Sequence, residues 1–214
     1  MAEIKAILFD MDGVLVDARD WHYEALNKAL APFGMEIGRD EHLSTFDGLP
    51  TRRKLKTLSA SRGLPEALHE FLNALKQRYT AQIVATSCRP DFHIQYALSS
   101  LHQDGYRIAV CSNAVRRTVD QMMEMAGLSD YLDLSLSNED VERAKPDPEI
   151  YTTAMARLDL APGDCLIVED NDNGIRAARA SGGHVMEVSG VTDVTYDRIR
   201  SSIELAAREP ECAP

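Results

Sequence analysis

Apolar residues follow two different periods along this chain, and the change of period predicts its architecture. Near the start, Ala6-Ile7-Leu8-Phe9 form an unbroken apolar run, the pattern of a strand buried on both faces. Between about residues 20 and 80 the spacing becomes helical. His22, Leu26, Ala29, Leu30 and Phe33 recur on one face, with Gly34 placed as a stop. A short helix is expected near Thr51 with Leu55 and Leu58 inward. Leu64, Leu68, Phe71, Leu72, Leu75 and Tyr79 then make a third stripe. This block has apolar faces of its own and no strand, which predicts an inserted all-helical subdomain.

From about residue 90 strands and helices alternate. A helix with Ile94, Leu98 and Leu101 stops at Gly105, and a strand runs through Tyr106-Arg107-Ile108-Ala109-Val110-Cys111. The next helix carries Val115, Val119, Met122 and Ala126 and ends at Gly127. Residues 132–136 are a weaker strand candidate. Asp147-Pro148 reads as an N-cap with proline at the first helical position. The chain continues with a helix bearing Tyr151, Ala154, Met155 and Leu158, a strand at Cys165-Leu166-Ile167-Val168, an alanine-rich helix from about Asn173, and a strand from His184 to Val188. Alternation of this kind predicts an α/β fold, a doubly wound parallel sheet with helices on both faces. Residues 1–17 and 87–214 are assigned to this core and 18–86 to the helical insert.

Composition narrows the class without naming a substrate. The 214 residues are 44% hydrophobic and 27% charged, ordinary for a globular protein. The net charge of −11, from 34 acidic and 23 basic residues, argues against nucleic-acid or anionic-membrane binding. Cys88, Cys111, Cys165 and Cys212 show no metal-binding spacing, and buried free thiols imply a reducing compartment. With no signal-like start and no long apolar run, the expectation is a cytoplasmic protein, monomeric by default.

The candidate chemistry lies at the ends of the predicted strands. Asp10 and Asp12 follow the first strand, and Gly13 allows the chain to break so that both reach one site. Two such carboxylates need a cation or a shared proton. Ser112 and Asn113 follow the second strand, where a hydroxyl and backbone amides can take an anion, although a plain helix cap is the competing reading. Lys145 stands between alanine and proline in a stiffened loop. Glu169 and Asp170 follow a later strand and offer hard oxygen ligands suited to Mg²⁺, or a cap for the next helix.

Four segments in this order carry a family resemblance: Phe-Asp-Met-Asp-Gly-Val-Leu-Val-Asp (9–17), Cys-Ser-Asn-Ala (111–114), Lys-Pro-Asp-Pro-Glu-Ile-Tyr (145–151) and Val-Glu-Asp-Asn-Asp-Asn-Gly-Ile (168–175). The chain resembles the haloacid dehalogenase-like hydrolases, in the branch of β-phosphoglucomutases and phosphoglycolate phosphatases. The resemblance implies Asp10 as a nucleophile that forms an aspartyl-phosphate, and Asp12 as the acid and then the base. It implies Ser112, Asn113 and Lys145 as phosphate-binding residues. Mg²⁺ would be held by Asp10, the Asp12 carbonyl and Asp170, with Glu169 bound directly or through water. Dehalogenases of the family lack the second aspartate, because a carbon–halogen bond has no leaving oxygen to protonate. Asp12 thus implies phosphate chemistry.

In the same branch the helical insert is a cap that closes over the substrate. His22, Arg52 and Arg53 are the leading substrate contacts, with Arg78, Arg89 and His93 behind them. His22 also shares the face of Leu26 and Leu30, where a packed structural histidine is the competing expectation. The resemblance implies a Mg²⁺-dependent phosphatase of a small phosphorylated metabolite, expected to be a sugar phosphate. A phosphosugar mutase is the alternative, and a signalling phospho-acceptor domain ranks below both.

Overall fold

The structure is a computed structural model that describes residues 3–207. Its first strand, β1 (Ala6–Phe9), is followed by a run of helices: α1 (Arg19–Leu30), the short α2 (Arg39–Glu41) leading into one π turn over residues 42–46, α3 (Thr51–Arg62), α4 (His69–Ser87) and α5 (Phe92–Gln103). Alternation then sets in, with β2 (Arg107–Cys111), α6 (Arg116–Met125), β3 (Leu134–Leu136), α7 (Glu149–Arg157), β4 (Cys165–Glu169), α8 (Asp172–Ala180), β5 (His184–Glu187) and α9 (Tyr196–Ala206). The five strands form one parallel sheet in the order β3-β2-β1-β4-β5.

Both faces of the sheet are covered, which explains why its central strands read as unbroken apolar runs. Ile7, Phe9, Ile108, Val110, Leu166 and Val168 point to the face packed by α5, α6 and α9. Ala6, Leu8, Ala109, Cys111, Cys165 and Ile167 point to the other, packed by α7 and α8. β1 is central, in register with Val110 and Val168 at Phe9. The chain runs outward through β2 and β3 on one side and crosses to β4 on the other. The loops leaving the carboxyl ends therefore diverge around β1 and open a crevice there.

The insert has its own apolar cluster: Leu26, Ala29, Leu30, Ile37, Phe46, Leu55, Leu58, Leu64 and Leu72. Three local expectations change. Leu64 joins this cluster from the loop before α4, which begins only at His69. Phe71 is 56% exposed and meets Phe33 edge-on instead of packing inward. α7 begins at Glu149, with Pro148 as its flanking residue, although Asp147 Oδ1 does accept the Glu149 N–H at 3.1 Å. Cys88, Cys111 and Cys165 are free and buried, while Cys212 lies outside the described residues. Among the described residues no helix is long and apolar enough to cross a membrane.

Candidate active site

The Asp10 amide donates to the Val168 carbonyl at 3.0 Å, carrying the ladder one residue past β1 and setting its side chain at the carboxyl edge. A tight loop follows, in which the Leu15 and Val16 amides both donate to the Met11 carbonyl at 3.0 Å. Gly13 makes this loop feasible. Its φ of 89° is a left-handed value, and a Cβ there would lie 2.0 Å from Asp170 Oδ2. The loop brings Asp10 and Asp12 to the same cavity, as the Asp-x-Asp-Gly pattern predicts.

Lys145 is the buried cation of the floor. Its Nζ donates to Asp10 Oδ1 at 2.7 Å, Glu169 Oε1 at 2.6 Å and the Cys111 carbonyl at 2.8 Å, which exhausts its three protons. Burial would lower its pKa, but Asp10 and Glu169 outweigh that and hold it above its ordinary value. Burial pushes the Asp10 carboxyl well above the carboxylate range; Lys145 opposes the shift, while Glu169, Asp170 and Asp12 add to it. The Cys111 thiol, pushed up to about 12 by burial, is inert beside them.

Glu169 is completely buried and its oxygens are already engaged. Oε1 accepts from Lys145 and from the Tyr151 hydroxyl, and Oε2 from the Asp170 amide at 3.2 Å and the Asn171 side chain at 3.4 Å. The Tyr151 ring also lies 4.7 Å from the Lys145 ammonium. Asp170 is ion-paired with Arg19 from the first turn of α1, and Arg19 Nε lies 3.6 Å from Asp47. Asp10, Glu169 and Asp170 each present an oxygen within 4.8 Å of the others. Such a converging set of hard oxygens fits Mg²⁺. Burial, opposed by Arg19, raises the Asp170 carboxyl as well, and a divalent cation would offset that burial together with the smaller repulsion from Glu169 felt by both aspartates.

Asp12 faces the insert. His22 Nε2 lies 3.0 Å from its Oδ1, and Lys76 from α4 donates to His22 Nδ1 at 3.1 Å. An amine N–H at Nδ1 leaves the imidazole proton on Nε2, toward Asp12. Burial acts to raise Asp12, yet His22, Lys76 and Lys54 together hold its carboxyl below the ordinary value. Burial lowers Lys76 to about 7, with Lys54 adding to the shift, and lowers Lys54 to about 8.

A cavity of about 560 Å³ lies between the insert and the sheet edge, lined by Asp10, Asp12, His22, Lys145 and Asn113 among others, a size suited to a small metabolite. Of the insert arginines expected to contact substrate, Arg52 lines its rim, while Arg53 and Arg78 lie outside it, all three being exposed. Arg89 donates to the Thr86 and Cys88 carbonyls at the end of α4, and His93 is exposed on α5, so neither reaches the cavity. Ser112 is buried at the floor, where its hydroxyl accepts the Ala114 amide at 3.0 Å and caps no helix, since α6 begins later, at Arg116. Asn113 ties three parts together: its Oδ1 accepts the Lys145 amide at 3.0 Å and its Nδ2 donates to the Gly48 carbonyl of the insert at 2.9 Å.

The residue pattern alone misses Arg19, Lys54, Lys76 and Tyr151. A signal does exist for the two lysines. Lys76 lies four residues after Leu72 and Lys54 four before Leu58, so each is a cation set on a buried helical face.

The family profile for haloacid dehalogenase-like hydrolases matches residues 7–188. A phosphorylated-carbohydrates phosphatase of Thermotoga maritima is 25% identical over 179 residues, spanning 84% of this chain and 82% of that protein. A phosphoglycolate phosphatase of Aquifex aeolicus is 26% identical over 210 residues, spanning 94% and 96%. Among solved structures, a β-phosphoglucomutase of Clostridium difficile superposes with a TM-score of 0.84 over 96% of this chain and all of its own, at 19% identity. At that identity the likeness establishes the fold alone.

Proposed function

The chain belongs to the haloacid dehalogenase-like hydrolase family and is a phosphatase, as are the two relatives named above; from that premise we propose that it hydrolyses a small phosphorylated metabolite, a sugar phosphate, through an aspartyl-phosphate on Asp10 with Mg²⁺ as cofactor. The observation that carries this reading is the placement of Asp10, 2.7 Å from the Lys145 ammonium and grouped with Glu169 and Asp170. A carboxylate attacking a phosphate anion meets like-charge repulsion, and a cation held at both partners offsets it.

An Asp10 oxygen attacks phosphorus as the ester oxygen departs opposite it. Lys145 balances charge on the phosphoryl oxygens, and Ser112 with the amides near Asn113 seats them. Asp12 gives a proton to the departing oxygen and later takes one from the water that cleaves the acyl phosphate. In the free enzyme His22, Lys76 and Lys54 keep Asp12 ionised. An entering phosphate anion offsets those cations and raises Asp12 toward the protonated form needed first. Asp10, the Asp12 carbonyl and Asp170, with Glu169 beside them, would hold Mg²⁺, which would supply charge neutralisation for the phosphoryl group. Residues 18–86 serve as the cap over the core of residues 1–17 and 87–214, closing out water until the substrate is seated.

A phosphate-release screen over sugar phosphates and phosphoglycolate, with and without Mg²⁺, tests this reading. Turnover that needs Mg²⁺ and disappears in Asp10→Asn is expected. Equal turnover by Asp10→Asn, or undiminished turnover under chelation, overturns it.

A further inference from the structure

α5 differs from every other α-helix of the described residues in carrying no formal charge. Its sequence from Phe92 to Gln103 contains no Asp, Glu, Lys or Arg, whereas a stretch of that length carries about three on average. Each of the other α-helices has at least two. One side of α5 is accounted for, since Ile94, Ala97, Leu98 and Leu101 are buried against the sheet. The other side presents aromatic rings to solvent where a surface helix ordinarily places charges. Phe92 is 74% exposed, the most of any large apolar side chain among the described residues, and Tyr96 is 55% exposed.

These rings are ordered among themselves. Phe92 and Tyr96, one turn apart, stack with centroids 6.2 Å apart and planes inclined by 21°. Tyr96 in turn meets Tyr196 of α9 edge-on at 6.3 Å, so the aromatic stripe continues from one helix to the next. The polar groups around it already have partners. The Tyr196 hydroxyl donates to Asp104 at 2.7 Å, and Arg200 lies 3.5 Å from the same carboxylate. Asp91 caps α5 by accepting the His93 amide at 2.8 Å, and Arg89 donates to backbone carbonyls. The stripe is thus uncharged and flanked by two acids and two bases. Rings at the centre, charge depleted there and polar groups at the rim are the anatomy of an association surface.

Electrostatics select the occupant. A chain of net charge −11 repels other acidic surfaces, and a second copy escapes that repulsion only where neither surface presents charge. With no Lys or Arg, α5 offers nothing to nucleic acid or an anionic membrane, and with no carboxylate it offers nothing to a basic partner. What matches an uncharged aromatic stripe flanked by balanced charges is the same stripe related by a two-fold axis. There α5 crosses its copy antiparallel, so that each Phe92 meets the other Tyr96. We propose that this protein is a homodimer in solution, joined through the Phe92, Tyr96 and Tyr196 stripe of α5 and α9, in place of the monomer taken by default from the sequence. Three rings present on the order of 300 Å², less than half of the roughly 800 Å² each partner of a standard interface buries. The neutral His93, Ser99 and Gln103 extend them, and a dissociation constant in the micromolar range follows. α5 supplies no residue to the lining of the active-site cavity, so the dimer is separate from the chemistry at Asp10.

Sedimentation equilibrium of the full chain over about 1 to 200 μM spans such affinities. It is expected to show the mass of two chains at the top of the range and of one at the bottom. Tyr96→Glu sets two carboxylates against each other's rings across the axis, and Phe92→Ser removes the most exposed ring. Each is expected to raise the dissociation constant about tenfold or more and to melt at the wild-type temperature, because neither side chain belongs to the core. Phe71→Glu, at an exposed ring of the cap, leaves the dimer intact. A single-chain mass throughout, a dimer that survives both α5 substitutions, or one dissolved by Phe71→Glu overturns the proposal. A chain that stays single and floats with phosphatidylcholine vesicles unless Tyr96 is replaced overturns it in favour of a lipid surface.

Discussion

Arg19 is ion-paired with Asp170, joining the first turn of the cap's α1 to the loop after β4. Asp170 is also one of the two acids that converge with Asp10. The guanidinium thus balances, from the cap, a carboxylate otherwise available to a metal. Its second contact, with Asp47 at 3.6 Å, lies on the cap itself, so this one side chain spans the two halves of the cavity.

Arg19→Met is expected to tighten Mg²⁺ binding several-fold, because the cation no longer competes with Arg19 for Asp170. The metal-free protein is expected to melt at a lower temperature, since Asp170 then keeps its buried charge without a partner. Calorimetric titration with Mg²⁺ and a thermal scan under chelation measure the two effects. Weaker Mg²⁺ binding by the variant would show that Arg19 supports the acidic cluster.

Lys145→Met preserves bulk and removes the only ammonium bonded to Asp10 and Glu169 among the described residues. Truncating one partner of a buried ion pair costs about 3–5 kcal/mol, and here two carboxylates lose their counterion. A loss in that range is expected by urea unfolding of the metal-free protein, together with a fall in kcat of about a hundredfold or more. A variant as stable as the parent would refute the central place given to this lysine.

The Tyr151 hydroxyl and the Lys145 ammonium share a single oxygen of Glu169. Tyr151→Phe keeps the ring under the ammonium and deletes only the hydroxyl bond. A hydrogen bond to a charged group contributes about 1.5–3 kcal/mol, and Glu169 keeps Lys145 as a partner, so a loss near the lower end is expected in denaturant unfolding. A change in KM with unaltered stability would instead make Tyr151 a substrate contact.

The sequence displays the core of this site more clearly than the cap, for a physical reason. Asp10, Ser112 and Asp170 lie next to buried strands, and a parallel sheet places every strand end at one edge. Strand pattern and local residue type are then sufficient to bring them together. The cap residues arrive by tertiary packing of helices whose rotation is not written in any one segment. Arg52 and Arg53 are neighbours in sequence, yet the phase of α3 turns only Arg52 into the cavity. Phe71 reads as apolar and inward, but α4 buries Leu72 and Lys76 instead. His22 lies on the helical face of Leu26 and Leu30, and its ring reaches Asp12, a contact between cap and core that the helical spacing does not reveal. Arg19, which shows no pattern at all, is placed by the turn between β1 and α1.

Lys54 is only 6% exposed and has no hydrogen bond or ion pair among the described residues, and this lack of a counterion has a measurable consequence in the substrate-free enzyme. The group has an ordinary pKa of 10.5 and a folded value of about 8. Between those values the unfolded chain holds a proton that the folded chain does not, so wild-type stability rises as pH climbs from about 8 toward 10.5. Below about 8 both states hold the proton, and the full penalty of burying the charge applies. Lys54→Met removes that penalty. The variant is therefore expected to be more stable than wild type at pH 7, by on the order of 1–3 kcal/mol, with the advantage shrinking toward pH 10. Cys111 and Tyr151, both pushed up by burial, titrate alike in the two proteins and cancel in the difference, whereas Lys76, lowered to about 7 in part by Lys54, relaxes upward in the variant and adds to its advantage at pH 7. Urea unfolding of both proteins at pH 7, 8.5 and 10 measures it. A constant gap across that range would mean that Lys54 has its usual pKa in the folded protein, and a wild type more stable at pH 7 would mean that the ammonium already has its counterion.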